Sequence, residues 1–82
     1  MSSSAARVRI EPLAVEVWSA GDALHVRLAD GREISTPLEW FPRLRDASPE
    51  QRGRWRPIGG GVGIHWPDLD EDISVAGLLA TQ

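Results

Sequence analysis

The spacing of apolar positions changes partway along the chain, and that change separates strands from helices. Leu24, Val26 and Leu28 alternate with His25 and Arg27. This period of two predicts a half-buried strand over 23–29. Residues 14–19 predict a strand before it, joined through the turn Ala20-Gly21-Asp22. Asp30-Gly31 predicts a tight hairpin in which both central positions take positive φ, with 32–36 returning as a third strand. Upstream, residues 7–13 can extend with Val8 and Ile10 on one side. Beyond Pro37 the period lengthens. Trp40, Leu44 and Ala47 are spaced like one helical face, with Pro42 in the first turn. Ser48-Pro49-Glu50-Gln51 is a capping box and predicts a helix from Pro49 to about Trp55, ended by Pro57. A glycine-rich connection, Ile58 to Gly63, then leads back to the sheet. Ile64-His65-Trp66 predicts a short fourth strand with His65 facing out, closed by Pro67. Ser74 caps a final helix through Ala80 that buries Leu78 and Leu79.

Together these elements predict an α+β fold: an antiparallel β-meander of three to four strands with two or three short helices packed on it. The 82 residues suit one domain, over 7–82, behind a disordered tail over 1–6. A chain this short buries only about 60–65% of its unfolded surface. It has no cysteine to staple it, so packing must hold it. The large aromatic side chains are Trp18, Trp40, Phe41, Trp55 and Trp66, each able to bury roughly 200 Å². Trp40, Trp55 and Trp66 are assigned to the core or to an interface.

Charge narrows the function classes. The net charge is −3, and all nine basic residues are arginine. Without lysine the chain has no P-loop, no Schiff-base chemistry and no nuclease centre of the lysine–carboxylate kind. The N-terminal residues lack a signal-peptide core, and no apolar run approaches the ~20 residues that cross a bilayer. A cytoplasmic location without membrane contact is expected. The charges are also segregated, which predicts a marked charge dipole. Arg43, Arg45, Arg52, Arg54 and Arg56 surround Trp55, while Asp68, Asp70, Glu71 and Asp72 follow His65 and Trp66.

None of the familiar site patterns fits these clusters. The run Gly59, Gly60, Gly61, Gly63 fails the dinucleotide fingerprint, whose third glycine would fall at Ile64. It reads as a connector, with an anion-binding nest as the alternative. Asp68, Asp70 and Asp72 alternate like calcium ligands, but the required glycine and glutamate fall on Ile73 and Leu79. One imidazole, His65, is too few for a zinc site. The bland reading of 68–72 is a solvated acidic loop in which Asp72 helps cap the following segment. The sharper reading is an acidic face for a basic partner. Arginines interleaved with an aromatic can grip a nucleic-acid backbone, through Arg43, Arg52, Arg54, Arg56 and Trp55. The acidic balance of the whole chain argues against such binding by this domain alone, and the acidic segment can pair with the patch instead. His25 reads as an exposed neighbour of polar residues on the sheet.

Three segments in order, Leu28-Ala29-Asp30-Gly31-Arg32, Pro37-Leu38-Glu39-Trp40-Phe41-Pro42-Arg43-Leu44, and Ile64-His65-Trp66-Pro67 with Leu69-Asp70-Glu71-Asp72-Ile73, resemble the domain-of-unknown-function 2442 family over about 10–80. The resemblance implies a small α+β domain and no catalytic residue. It also implies a neighbouring small protein of the domain-of-unknown-function 4160 family, with this chain as the acidic, antitoxin-like member of the pair. Some relatives carry a helix-turn-helix domain, which this sequence lacks. The leading expectation is a non-enzymatic protein-interaction module. Asp68, Asp70, Glu71, Asp72, His65 and Trp66 would contact a small basic protein, with no catalytic residue, metal or cofactor. A metal-assisted hydrolase using His65 and the acidic cluster is the first alternative, and a nucleic-acid accessory module using the arginine-rich helix the second. A homodimer would cover an exposed edge strand.

Overall fold

The computed structural model describes residues 11–82. The predicted tail and residues 7–10 of the 7–13 extension lie outside the described residues, and 11–13 belong to no strand. Within them the chain is α+β, with two antiparallel three-stranded sheets where the sequence predicts one. The first runs β1 (Ala14–Ala20), β2 (Ala23–Leu28), β3 (Glu33–Pro37), in the order β1-β2-β3. The second runs β4 (Arg56–Ile58), β5 (Gly63–Trp66), β6 (Glu71–Ser74), in the order β4-β5-β6. Between them lie a 3₁₀ turn, Leu38–Trp40, and two short helices, α1 (Pro42–Arg45) and α2 (Pro49–Gly53). Helix α3 (Val75–Ala80) closes the fold.

The first sheet is the predicted meander. Leu24, Val26 and Leu28 are buried along β2, and Ile34 and Thr36 along β3. In β1 the alternation slips: Ala14 pairs with Leu28 but Glu16 with Arg27, so Val15 is an extra, exposed residue. This bulge explains why Ala14 and Val17, three apart, are both buried. The β2–β3 turn corrects the hairpin prediction. Gly31 takes positive φ (95°) but Asp30 does not. Instead the Asp30 carboxylate accepts the Arg32 backbone N–H at 3.1 Å and the Arg32 guanidinium at 2.7 Å, so a side chain replaces the second left-handed position.

Both prolines near the helices act locally. Pro37 ends β3, and Pro42 starts α1 after only four intervening residues. No continuous helical face forms across 40–47, so Leu44 is fully buried while Trp40 stays 53% exposed. The capping box is complete: Gln51 N–H donates to Ser48 Oγ at 3.1 Å and Ser48 N–H to Gln51 Oε1 at 3.0 Å. Helix α2 stops at Gly53, ahead of the predicted end, because Arg54 leaves helical backbone space. Pro57 therefore sits inside β4, an edge strand, where a missing N–H is tolerated.

The glycine run is the predicted connector. Gly59–Gly61 form a 3₁₀ turn with positive φ at all three positions, carrying the chain from β4 to β5. Gly61 also lies against β1: a Cβ there would stand 2.9 Å from the Ala14 carbonyl oxygen. This close approach brings the two sheets together. Their inner residues form one core, in which Ile64, Trp66, Ile73, Val75 and Leu78 join the buried residues of the first sheet. Trp66 is fully buried, Trp55 is half-buried against the core, and Leu79 only half-buried.

Candidate functional site

The acidic segment is mostly not a loop. Glu71 and Asp72 belong to β6, whose partner register is Ile64 to Ile73, His65 to Asp72 and Trp66 to Glu71. The ladder explains this: Ile73 must join Ile64 in the core, so the residues around it are pulled into a strand. Asp70 turns the chain into β6 with left-handed backbone (φ 51°). Asp72 does not cap the next helix. Ser74 does, its Oγ accepting the Gly77 N–H at 2.9 Å, while Asp72 pairs with His65 Nδ1.

Folding β4 onto β5 brings the basic segment beside the acidic one, so the predicted charge dipole is replaced by interleaved pairs. Arg54 reaches Asp68 at 2.6 Å. Arg43 donates to the Asp70 carbonyl at 2.6 Å and stands 3.9 Å from Glu71. Arg56, His65 and Asp72 are successive cross-strand neighbours over the second sheet. Arg52 is committed differently. Its guanidinium donates to the carbonyls of Leu44 (3.0 Å) and Ala47 (2.9 Å) and to Ser19 Oγ (3.2 Å). It thereby closes the C-terminal end of α1, where a cation is favoured. Its own carbonyl accepts the Trp66 indole N–H at 3.0 Å. Arg52 thus joins α1, α2, β1 and β5, a role that nothing in its sequence context signals.

Beside β6 lies a groove of about 380 Å³, within the range of ligand clefts. Trp40 and Phe41 form one wall, Ile73 and Leu78 supply apolar floor, and Glu71 and Asp72 line it with carboxylates. Among the described residues no cationic side chain lines it. Of the expected partner-binding residues, only Glu71 and Asp72 reach this groove. Asp68 and Asp70 lie around the preceding turn, His65 stands behind Asp72, and Trp66 is buried. Sequence reasoning missed Phe41, Ile73 and Leu78 as site residues. The available signal was the pair of prolines flanking 38–41, which leaves Trp40 off the Leu44 face.

Chemistry elsewhere is sparse. Ser35 Oγ and His25 Nδ1 stand 2.9 Å apart on the outer face of the first sheet. The His25 ring stacks on Trp18 at 5.3 Å, and no carboxylate is bonded to it among the described residues. The same face carries Arg27 between Glu16 (2.7 Å) and Glu33 (3.0 Å). These neighbours hold the Arg27 guanidinium above its usual range, chiefly through the Glu33 hydrogen bond. Among the described residues no three His, Asp or Glu side chains gather into a set that could hold a metal ion. No described helix is long and apolar enough to cross a membrane.

Comparison with curated proteins found no match. A crystal structure of a protein of unknown function from Rhodospirillum rubrum is similar at 31% identity. The match covers 88% of this chain and 89% of that one, with a TM-score of 0.74. The family model described as "Protein of unknown function (DUF2442)" matches residues 14–82, from the first strand to the last residue, and the chain belongs to that family.

Proposed function

We propose that this chain is a non-enzymatic protein-interaction module that receives a small basic protein, as the acidic, antitoxin-like member of a pair. The observation that carries this reading is the groove beside β6, where exposed Trp40 and half-buried Phe41 meet Ile73 and Leu78 under the carboxylates of Glu71 and Asp72. Apolar burial in such a groove slows release of a partner, and the carboxylates speed encounter with a cationic one. The alternatives draw less support. A metal-assisted hydrolase needs ligands gathered around His65, and among the described residues its side chain is bonded to Asp72 alone. A nucleic-acid patch would draw on Arg52, whose guanidinium is turned into the fold against the Leu44 and Ala47 carbonyls and Ser19.

The test is co-purification of the tagged chain from its native host, beside a variant carrying Glu71→Gln and Asp72→Asn. The expected result is one small basic protein in stoichiometric amount. The variant should retain it less, and rising salt should weaken it further. A stoichiometric partner that is acidic, or is held equally by the variant at all salt concentrations, would refute the proposal.

A further inference from the structure

We infer that the partner enters this groove as an extended segment, adding a strand to the free edge of β6 and placing cationic side chains on the face that carries Asp72. This inference rests on the interaction-module reading and specifies its mode.

The geometry of β6 carries the argument. Successive side chains of a strand point to opposite faces, so a cavity bounded by all of Glu71, Asp72, Ile73 and Ser74 runs alongside the strand edge. Among the described residues that edge is unpaired, because β6 is the last strand of the order β4-β5-β6. The ladder also fixes which backbone groups face it. Val75 N–H donates to the Val62 carbonyl at 3.0 Å. Antiparallel pairs alternate between hydrogen-bonded and non-hydrogen-bonded. In the β5–β6 register, Ile64–Ile73 and Trp66–Glu71 are then hydrogen-bonded pairs and His65–Asp72 is not. The Asp72 N–H and C=O therefore point away from β5 toward the groove. No hydrogen bond among the described residues takes up either group. Trp40 and Phe41 on one side and α3 on the other, through Gly77 and Leu78, wall a slot for side chains of an added strand.

Charge selects the occupant. A second copy paired about Asp72 would set two carboxylates opposite each other, which is unfavourable. A strand bearing arginine or lysine at alternate positions carries them all on one face, where they meet Asp72 with opposite sign, while the apolar residues between them share the face of Ile73. Short, charged edge strands discourage pairing with their own kind, and this one leaves the slot open to a cationic segment. Recognition of this type takes affinity from main-chain bonds and specificity from alternate side chains.

The test uses the whole chain and a capped hexapeptide alternating arginine and valine. Amide exchange and amide chemical shifts are read residue by residue. The peptide should slow exchange of the Asp72 amide and shift Phe41 and Leu78. N-methylation at its central amides should weaken binding about tenfold. Equal binding of the methylated peptide without Asp72 protection would overturn strand addition and leave the acidic-groove reading standing. No binding of the parent peptide would also overturn it, leaving that reading to the host co-purification. Asp72 protection already present in a peptide-free dimer would overturn it in favour of a second copy.

Discussion

Replacing Arg52 by methionine should destabilise this domain far more than removing any surface charge. Methionine keeps much of the apolar stem, so the change mainly removes the guanidinium. What is lost is a set of four hydrogen bonds, to the Leu44 carbonyl at 3.0 Å, the Ala47 carbonyl at 2.9 Å, the Arg45 carbonyl at 3.4 Å and Ser19 Oγ at 3.2 Å. Hydrogen bonds to charged groups contribute about 1.5–3 kcal/mol each, and unmet buried acceptors cost a similar amount. Here the acceptors are neutral and the site is half-open to water, so about 2–3 kcal/mol in total is expected. A domain of this length has roughly 4–12 kcal/mol of stability, so the variant stays folded at room temperature but melts roughly 10–20 °C lower. Arg52→Lys retains the charge as a single point donor and should recover at most about half of the loss. Arg54→Met, which removes the exposed pair with Asp68, should cost less than about 1 kcal/mol. Urea denaturation followed by tryptophan fluorescence measures all three. Arg52→Met within about 0.5 kcal/mol of the parent, or Arg52→Lys indistinguishable from it, would refute the view that fork geometry ties α1 to β1.

Three further outcomes follow from other parts of the fold. Gly61→Ala should cost clearly more than Gly60→Ala, although both have positive φ, because only at Gly61 would the new Cβ strike the Ala14 backbone. About 1 kcal/mol is expected at Gly60 and several at Gly61, and equal urea midpoints would contradict this. Asp30 is held below the usual carboxylate range, first by the Arg32 side-chain hydrogen bond. A depressed folded pKa means its stabilisation is complete above the ordinary carboxylate range and vanishes as pH falls through the folded value. The stability gap between the parent and Asp30→Asn should therefore be present at neutral pH and close in acid; a gap constant with pH would count against the Asp30–Arg32 turn. Trp40→Ala should leave the melting temperature nearly unchanged, since Trp40 is 53% exposed, while weakening partner retention. A large drop in melting would make Trp40 a core residue after all.

The sequence made the first sheet legible because its alternation, turn residues and one-sided burial agree. The helix caps were legible for the same reason: Ser48 and Gln51, and Ser74, act locally. The second sheet was harder. A proline in β4 and adjacent carboxylates in β6 both argue against strands, and only pairing with Ile64 and Ile73 through the shared core overrides them. The charged segments were legible as segments but not as partners, since the pairing of Arg54 with Asp68 depends on how β4 folds onto β5. Arg52 and the groove were invisible to periodicity. Each is assembled from residues far apart in the chain, Arg52 with Ser19, and Trp40 with Leu78.

The most direct test of the interaction-module reading is an amide hydrogen-exchange footprint of the chain in complex with the basic protein that co-purifies with it. Binding at the groove predicts slowed exchange at residues 40–41, 71–74 and 77–81, with the outer face around Trp18, His25 and Arg27 unchanged. Protection confined to that outer face, with residues 71–74 exchanging as in the free chain, would contradict it.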